Sequence, residues 1–224
     1  MLLSLIIAES ALELVPSKIA SHPSVVNQAR RESKKPQEVL LDRSYHHTAM
    51  RNIPEAYRRG RPDIIHISLI TAIYTPFFLE DKLQVFVHTR EDKVITVGKG
   101  ARLPKSYPRF VSLMEQLFRQ KKIVSEDNIL LDLKQENFTG LVKRLRPETV
   151  IGLSRIGKKS SFAEMAGSMA KTNGGTLVIG GFPRGHFSNT VSKEFDRILS
   201  VHEQPLEAHV VIARSIYELE RVFG

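Results

Sequence analysis

The sequence predicts an α/β protein whose mostly parallel sheet is flanked by helices. Three observations point there. The opening Leu2 to Ala8 is an apolar run of strand length broken only by Ser4, the pattern of a strand buried on both faces. From Ile129 to Phe223 strand-like and helix-like segments alternate, which implies parallel strands joined by helical crossovers. Between these regions, Leu83 to Thr89 and Val94 to Val97 flank the polar Arg90-Glu91-Asp92-Lys93 and read as a hairpin set into the alternating pattern.

Taken in order, Pro23 to Arg31 is helical with Ser21 or His22 at its start, and Lys34-Lys35-Pro36 breaks the chain before the short apolar Val39-Leu40-Leu41. Pro62 opens a strong helix. Its ring suits the first turn, Asp63 complements the positive helix end and can cap it, and Ile64, Ile67, Leu69, Ile70 and Ile73 give a broad apolar face. After the hairpin, a loop with two prolines, Arg102 to Arg109, presents three cations and leads into a helix with Phe110, Leu113, Leu117 and Phe118 at helical spacing. Then follow a strand at Ile129 to Leu133, a helix at Phe138 to Leu145, and a strand at Thr149 to Ser154. A helix at Ser161 to Ala170, a strand at Thr176 to Gly181, a strand at Ile198 to Val201 and a helix from Leu206 to Phe223 complete the chain. In such a sheet, ligands sit at the carboxyl ends of the strands, so the loops after Leu153, Gly180 and Leu199 are the first candidates.

Composition narrows the chemistry. The 224 residues contain no cysteine, which excludes disulfides, thiolate metal sites and cysteine nucleophiles. No apolar run is long enough to span a membrane, and the opening lacks a basic n-region and a cleavage site. A cytoplasmic protein without a membrane partner is expected. The net charge of +9 is unevenly spread: residues 30 to 61 carry +5 and residues 99 to 122 carry +6. The basicity belongs to two stretches, either a footprint for a phosphate backbone or two solvated helix faces.

Thr176 to Gly185 is an apolar strand running into a loop with three glycines, which can take positive φ and bring backbone N–H groups close to a ligand. It ends in no Gly-Lys-Ser/Thr and lacks the dinucleotide glycine spacing, so a tight turn is the competing reading. His46, His47, His66 and His88 have no carboxylate or metal spacing around them and are read as structural, and no metal site is expected.

Several segments together carry a resemblance that spans nearly the whole chain: LIIAESALELVP, LLDRSYHH, RPDIIH (Arg61 to His66), LQVFVHT, ARLPKSYPRF (Ala101 to Phe110), VIGGFPRG (Val178 to Gly185) and LSVHEQPLEA (Leu199 to Ala208). The chain resembles the small-subunit ribosomal-RNA pseudouridine methyltransferase family first described as nucleolar essential protein one. That resemblance implies a SPOUT-type fold with a C-terminal trefoil knot in a single domain over residues 1–224, with an insertion around 39–110 carrying RNA-binding elements and the knot and cofactor region around 150–224. It implies a homodimer that uses S-adenosylmethionine to methylate N1 of a pseudouridine in a hairpin loop of small-subunit ribosomal RNA; ribosome assembly proteins are compatible further partners.

By position, the resemblance assigns cofactor contacts to Leu153, to Gly180, Gly185, His186 and Phe187, and to Leu199, Ser200, Val201, His202, Glu203, Gln204 and Leu206. RNA contacts fall on Arg61, Arg102, Lys105 and Arg109. Arg61 and Asp63 are the candidate catalytic pair, with three roles open to Asp63: orienting the Arg61 guanidinium, accepting a proton, or capping the helix. Arginine suits such positions because its planar fork grips a phosphate or stacks on an unpaired base. A SPOUT methyltransferase for another RNA position and a non-catalytic ribosome assembly factor stay open as alternatives.

Overall fold

The structure, a computed structural model, describes residues 2–126, 128–172 and 174–223. The chain runs β1 (Leu3–Ser10), α1 (Pro23–Arg31), α2 (Arg43–Met50), α3 (Pro62–Ile73), α4 (Pro76–Leu79), β2 (Leu83–Thr89), β3 (Lys93–Val97) and α5 (Tyr107–Gln120). It continues with β4 (Lys122–Ser125), β5 (Asn128–Gln135), α6 (Phe138–Leu145), β6 (Thr149–Lys159), α7 (Phe162–Met169), β7 (Gly175–Gly180), α8 (Asn189–Ser192), β8 (Arg197–Ser200) and α9 (Ala208–Phe223).

The strands form one sheet in the order β4-β5-β3-β2-β1-β7-β6-β8. Its β2-β1-β7-β6-β8 part is parallel, and β3, β5 and β4 extend it antiparallel. The Leu3–Ser10 strand lies between β2 and β7 with parallel partners on both sides, as the apolar run to Ala8, broken only by Ser4, predicts. Alternate residues feed two cores. Leu5, Ile7, Val85, Leu177 and Ile179 pack with Ile65 and Leu69 of α3, Met165 of α7 and Ile212 and Ile216 of α9. Ile6, Ala8, Phe86 and Val178 pack on the opposite face with Phe138 and Leu141 of α6 and Val191 of α8. Each of these buried aliphatic side chains contributes about 1.5–3 kcal/mol relative to exposure.

A third cluster is separate. Val25 and Ala29 of α1 pack with Leu41, Ala49, Met50 and Ile53 around α2. Buried Glu115 of α5 ties this unit to the sheet layer, accepting from the Leu40 amide at 2.8 Å and from Lys34. Helix α2 is not visible in the hydrophobic pattern, because RSYHHTAM buries only His46, Ala49 and Met50. Its start is a polar signal: Asp42 accepts from the Ser44 amide at 2.8 Å.

Strand β6 departs from expectation. It does not end at Ser154 but arches to Lys159 and pairs with β8 twice, Leu153 with Leu199 and then Lys158 with Leu199 again. Gly157 permits this, since a Cβ there would lie 2.6 Å from the Ile198 carbonyl and the Leu199 nitrogen. The segment after Leu153 is therefore a strap laid over β8.

Candidate functional site

Ordering the sheet with β1 between β2 and β7 brings the carboxyl ends of β6, β7 and β8 to one rim, and there lies a cavity of about 590 Å³. Three loops line it: Leu153, Ser154 and Arg155 after the first part of β6, Gly180 and Phe182 to Phe187 after β7, and Ser200 to His202 with Gln204 to Ala208 after β8. Arg61, Ile64 and Val211 close it from α3 and α9.

Of the residues assigned to the cofactor from sequence, the structure gathers Leu153, Gly180, Gly185, His186, Phe187, Ser200, Val201, His202, Gln204 and Leu206 around this one cavity. Two stand outside the lining. Leu199 is buried in the apolar core, and Glu203 turns outward to an exposed pair with Lys159 at 3.0 Å. Lining residues that sequence reasoning passed over are Ser154, Arg155, Phe182, Arg184 and Glu207. Phe182 and Arg184 lie within the quoted VIGGFPRG segment and were findable; Arg155 sits where the strand was expected to have ended.

The loops hold one another. The Ser154 hydroxyl and His186 Nδ1 are hydrogen-bonded at 3.3 Å, linking the first loop to the second. His202 Nδ1 accepts from the Gln204 amide at 3.0 Å, so the third loop is braced by its own turn. Gly185 has φ +94, a conformation side-chain-bearing residues avoid. Phe182 and Phe187 meet edge to face with centroids 5.6 Å apart.

At the cavity edge, Arg61 precedes α3 and makes a two-pronged ion pair with Asp63, Nε to Oδ1 at 2.8 Å and a terminal nitrogen to Oδ2 at 2.7 Å. Of the three roles open to Asp63, its carboxylate takes the first, orienting Arg61: both oxygens serve the guanidinium, and the helix start has no side-chain cap bond, although Asp63 stays in the first turn. The physical reason is geometric, because the fork of Arg61 matches both oxygens at once. That pairing raises the Arg61 pKa further above its ordinary value, so the group stays cationic.

Beyond Arg61, three sequence motifs converge. Asp42 accepts the phenolic hydrogen of Tyr107, whose pKa is raised by burial first and by that carboxylate second. His66 Nε2 bonds the Pro104 carbonyl at 2.7 Å while its ring stacks on Phe110 at 4.4 Å. The proline-containing loop is thus anchored from both sides, with Ala101 and Leu103 buried and Arg102, Lys105 and Arg109 exposed. None of these three cations has an ion-pair partner among the described residues, nor do Arg155 and Arg184 at the cavity. Arg102, Lys105 and Arg109 do not line the cavity itself.

Of the histidines read as structural from sequence, His46, His66 and His88 make structural contacts, and His47 is exposed. His46 is fully buried and accepts from the Asp42 amide through Nδ1 at 3.1 Å. His88 accepts from the Glu9 amide and faces Asp92, and burial pushes its pKa down, so the imidazole is held neutral. Among the described residues no group of His, Asp and Glu could hold a metal ion, and no helix is long and apolar enough to cross a membrane.

Comparison with known proteins returns one consistent family. Residues 5–220 match the EMG1/NEP1 methyltransferase family. The chain is 41% identical over 221 residues to the ribosomal RNA small subunit methyltransferase Nep1 of Pyrococcus furiosus, covering 97% of this chain and 96% of that protein. It is 40% identical over 226 residues to the Nep1 of Thermococcus kodakarensis, covering all of both. Among solved structures, Archaeoglobus fulgidus Nep1 bound to S-adenosylhomocysteine superposes with a TM-score of 0.89 at 33% identity, covering 99% of each chain.

Proposed function

Since this chain belongs to the EMG1/NEP1 methyltransferase family, we propose that it is an S-adenosylmethionine-dependent methyltransferase of small-subunit ribosomal RNA, acting on N1 of a pseudouridine. The observation that carries the reading is the cavity built from residues 153–155 of β6 and the loops after β7 and β8, with the paired, permanently charged Arg61 at its edge.

The cavity fits the cofactor. Its volume of about 590 Å³ lies within the usual range for small-molecule sites, roughly 300–1,000 Å³. Leu153, Ile179, Leu206 and Phe187 offer apolar walls to an adenine ring, and the loop around Gly180 and Gly185 offers backbone groups to its polar edges. S-adenosylmethionine supplies a methyl group made electrophilic by its sulfonium. What remains for the protein is to hold the acceptor and ease loss of its proton. Pseudouridine N1 carries a hydrogen, and a guanidinium beside the ring stabilises the deprotonated base electrostatically. Arg61 has that role, and Asp63 holds the fork in one orientation so that little reorganisation is needed at the reaction.

The RNA path runs from Arg61 across Arg102, Lys105 and Arg109, and the last three have no ion-pair partner among the described residues. Replacing Arg61, Arg102 or Arg109 with Ala is expected to weaken RNA binding without unfolding the protein, and to lower the dependence of log affinity on log salt by roughly one unit per phosphate contact. Isotherms at several salt concentrations check this; unchanged affinity and slope in all three variants would remove the footprint. Methyl transfer from labelled S-adenosylmethionine to small-subunit ribosomal RNA tests the activity itself. A ribosomal-RNA substrate is consistent with a cytoplasmic location and with ribosome assembly proteins as further partners.

Two architectural features belong to the same reading. The 154–159 strap over β8 supports a trefoil knot in residues 150–224, within a single domain whose RNA-binding elements lie around 39–110. Ile67 on α3 and Tyr74 at its C-terminal cap are 44% and 43% exposed, and Tyr217 on the neighbouring α9 is also exposed. This apolar face supports a homodimer. Sedimentation equilibrium is expected to give twice the chain mass, and a monomer at micromolar concentration would exclude it; a crystal structure would trace the strap relative to α9.

A further inference from the structure

The short segment from Glu55 to Arg61 carries an arginine whose work the methyl-transfer reading does not use. The segment is fixed at both ends. Glu55 and Gly60 take φ of +51 and +63, Arg90 holds the Glu55 carboxylate at 2.8 Å, and the Arg61 amide donates to the Ala11 carbonyl at 3.1 Å. Between these points Arg59 is ion-paired with the wholly buried Glu13. Arg58 points elsewhere, onto the glycine loop after β7.

There it makes two contacts and lies close to a third residue. Its guanidinium carbon lies 4.2 Å from the centroid of the Phe182 ring. A terminal nitrogen donates to Glu9 Oε2 at 3.1 Å, and the same oxygen accepts from the Ser188 amide at 3.0 Å. A Cβ built on Gly185 would lie 3.8 Å from the other terminal nitrogen. Arg58 therefore touches the start of the loop at Phe182 and, through Glu9, its end at Ser188, and it faces the side of Gly185 that a Cβ would occupy. The pair is nearly enclosed, with side chains 12% and 13% exposed. Glu9 itself sits at φ +49, where the β1–β2 register shifts, so the backbone departs from extended geometry at the residue that presents this carboxylate.

We propose that Arg58 is a positioning residue for the cofactor loop: its stack on Phe182 and its bond to Glu9 hold the 181–188 loop in the shape that admits the cofactor. The inference rests on the reading of the cavity as the S-adenosylmethionine site. A loop with glycines at 180, 181 and 185 does not fix its own shape, because its backbone has too many accessible conformations. Arginine is required more than a positive charge, since its plane both stacks on the ring and donates sideways to the carboxylate. Three residues further on, the same segment delivers Arg61 to the cavity, so one rigid turn sets both the loop and the group that faces the RNA.

The test measures S-adenosylhomocysteine binding by calorimetry in the wild type, Arg58→Ala, Arg58→Lys, Phe182→Leu and the Arg58→Ala/Phe182→Leu double variant, with methyl-transfer kinetics alongside. Arg58→Ala is expected to weaken binding by about tenfold and to raise KM for S-adenosylmethionine while kcat at saturation stays within about threefold. Arg58→Lys recovers part of the loss, and the double variant loses less than the product of the two single effects. RNA affinity without cofactor stays within about twofold, and thermal unfolding stays cooperative. Wild-type affinity in Arg58→Ala would overturn the proposal while leaving the cavity reading intact. A joint loss of cofactor binding, RNA binding and cooperative unfolding would also overturn it, by making Arg58 merely structural. Failure of the wild-type protein to bind S-adenosylhomocysteine would instead overturn the cavity reading and this inference with it.

Discussion

Replacing Gly180 with Val is expected to abolish S-adenosylhomocysteine binding while leaving the sheet and the RNA affinity in place. Gly180 is the last residue of β7, pairs with Ala8 of β1, and forms part of the cavity wall. Its φ is ordinary, so Val meets no backbone penalty there. The obstacle is space: even a Cβ would lie 2.7 Å from the Phe182 ring. That ring cannot swing away freely, because Arg58 covers it and Phe187 meets it edge-on. The two further methyls of Val must enter the cavity or push the ring, and either displaces the ligand. A loss of at least ~100-fold in affinity, equivalent to about 2.7 kcal/mol, is expected. Melting should fall by only a few degrees, since roughly 1 kcal/mol shifts a domain of this size by about 2–4 °C. Gly185→Val should also lose binding, for a different reason: at φ +94 there is room, but a β-branched residue is strained and the loop must rearrange. Near-normal calorimetric affinity in both variants would mean that the loop is only a turn and that the cofactor sits elsewhere.

The fold was legible where one physical signal dominated. Leu5 to Ala8 is apolar on both faces because β1 is covered on both faces, and the 83–97 hairpin shows its turn in four consecutive charged residues. What sequence could not show was closure by small residues and polar bonds. The strap at 154–159 depends on Gly157 lying against the backbone of β8, and an isolated glycine in a strand says nothing about what it approaches. Helix α2 was missed because its stability comes from the Asp42 cap and a few buried side chains and not from an apolar stripe. The candidate site was legible mainly through resemblance, since the residues around the cavity come from loops hundreds of atoms apart along the chain. Asp63 illustrates the limit: its position two residues after Arg61 favoured orienting that guanidinium but left proton acceptance and a helix cap open, and the structure places both of its oxygens on Arg61. Arg58 carried no sequence signal beyond belonging to a basic run, and its contacts with Glu9 and Phe182 span 49 and 124 positions.

Methyl transfer to a hairpin RNA carrying pseudouridine at one loop position, and none to the same hairpin carrying uridine, is the second large effect expected. Uridine joins its ribose through N1, so that nitrogen has no hydrogen to lose and no lone pair free of the ring to offer. Pseudouridine joins through carbon and leaves N1 exposed with its proton. A site that holds N1 in line for displacement therefore finds a nucleophile in one base and none in the other, and tight RNA binding cannot compensate, because alignment accelerates only a group that is present. Recognition should differ far less. On the proposed footprint, Arg61, Arg102, Lys105 and Arg109 would meet a backbone and base faces that the two hairpins share, so affinities are expected within roughly threefold. Arg61→Ala should then depress turnover on the pseudouridine hairpin more than it depresses binding, since a guanidinium that favours the deprotonated ring acts on the reaction as well as on the complex, a contribution of about 10²–10³ in kcat for one well-placed group. Mass spectrometry of the digested RNA locates the added methyl group and fragmentation assigns it to the base. Comparable methylation of the uridine hairpin would move the target to another atom or another RNA position. Absence of methylation on either hairpin, together with tight cofactor binding, would make the protein a ribosome assembly factor that holds S-adenosylmethionine without using it.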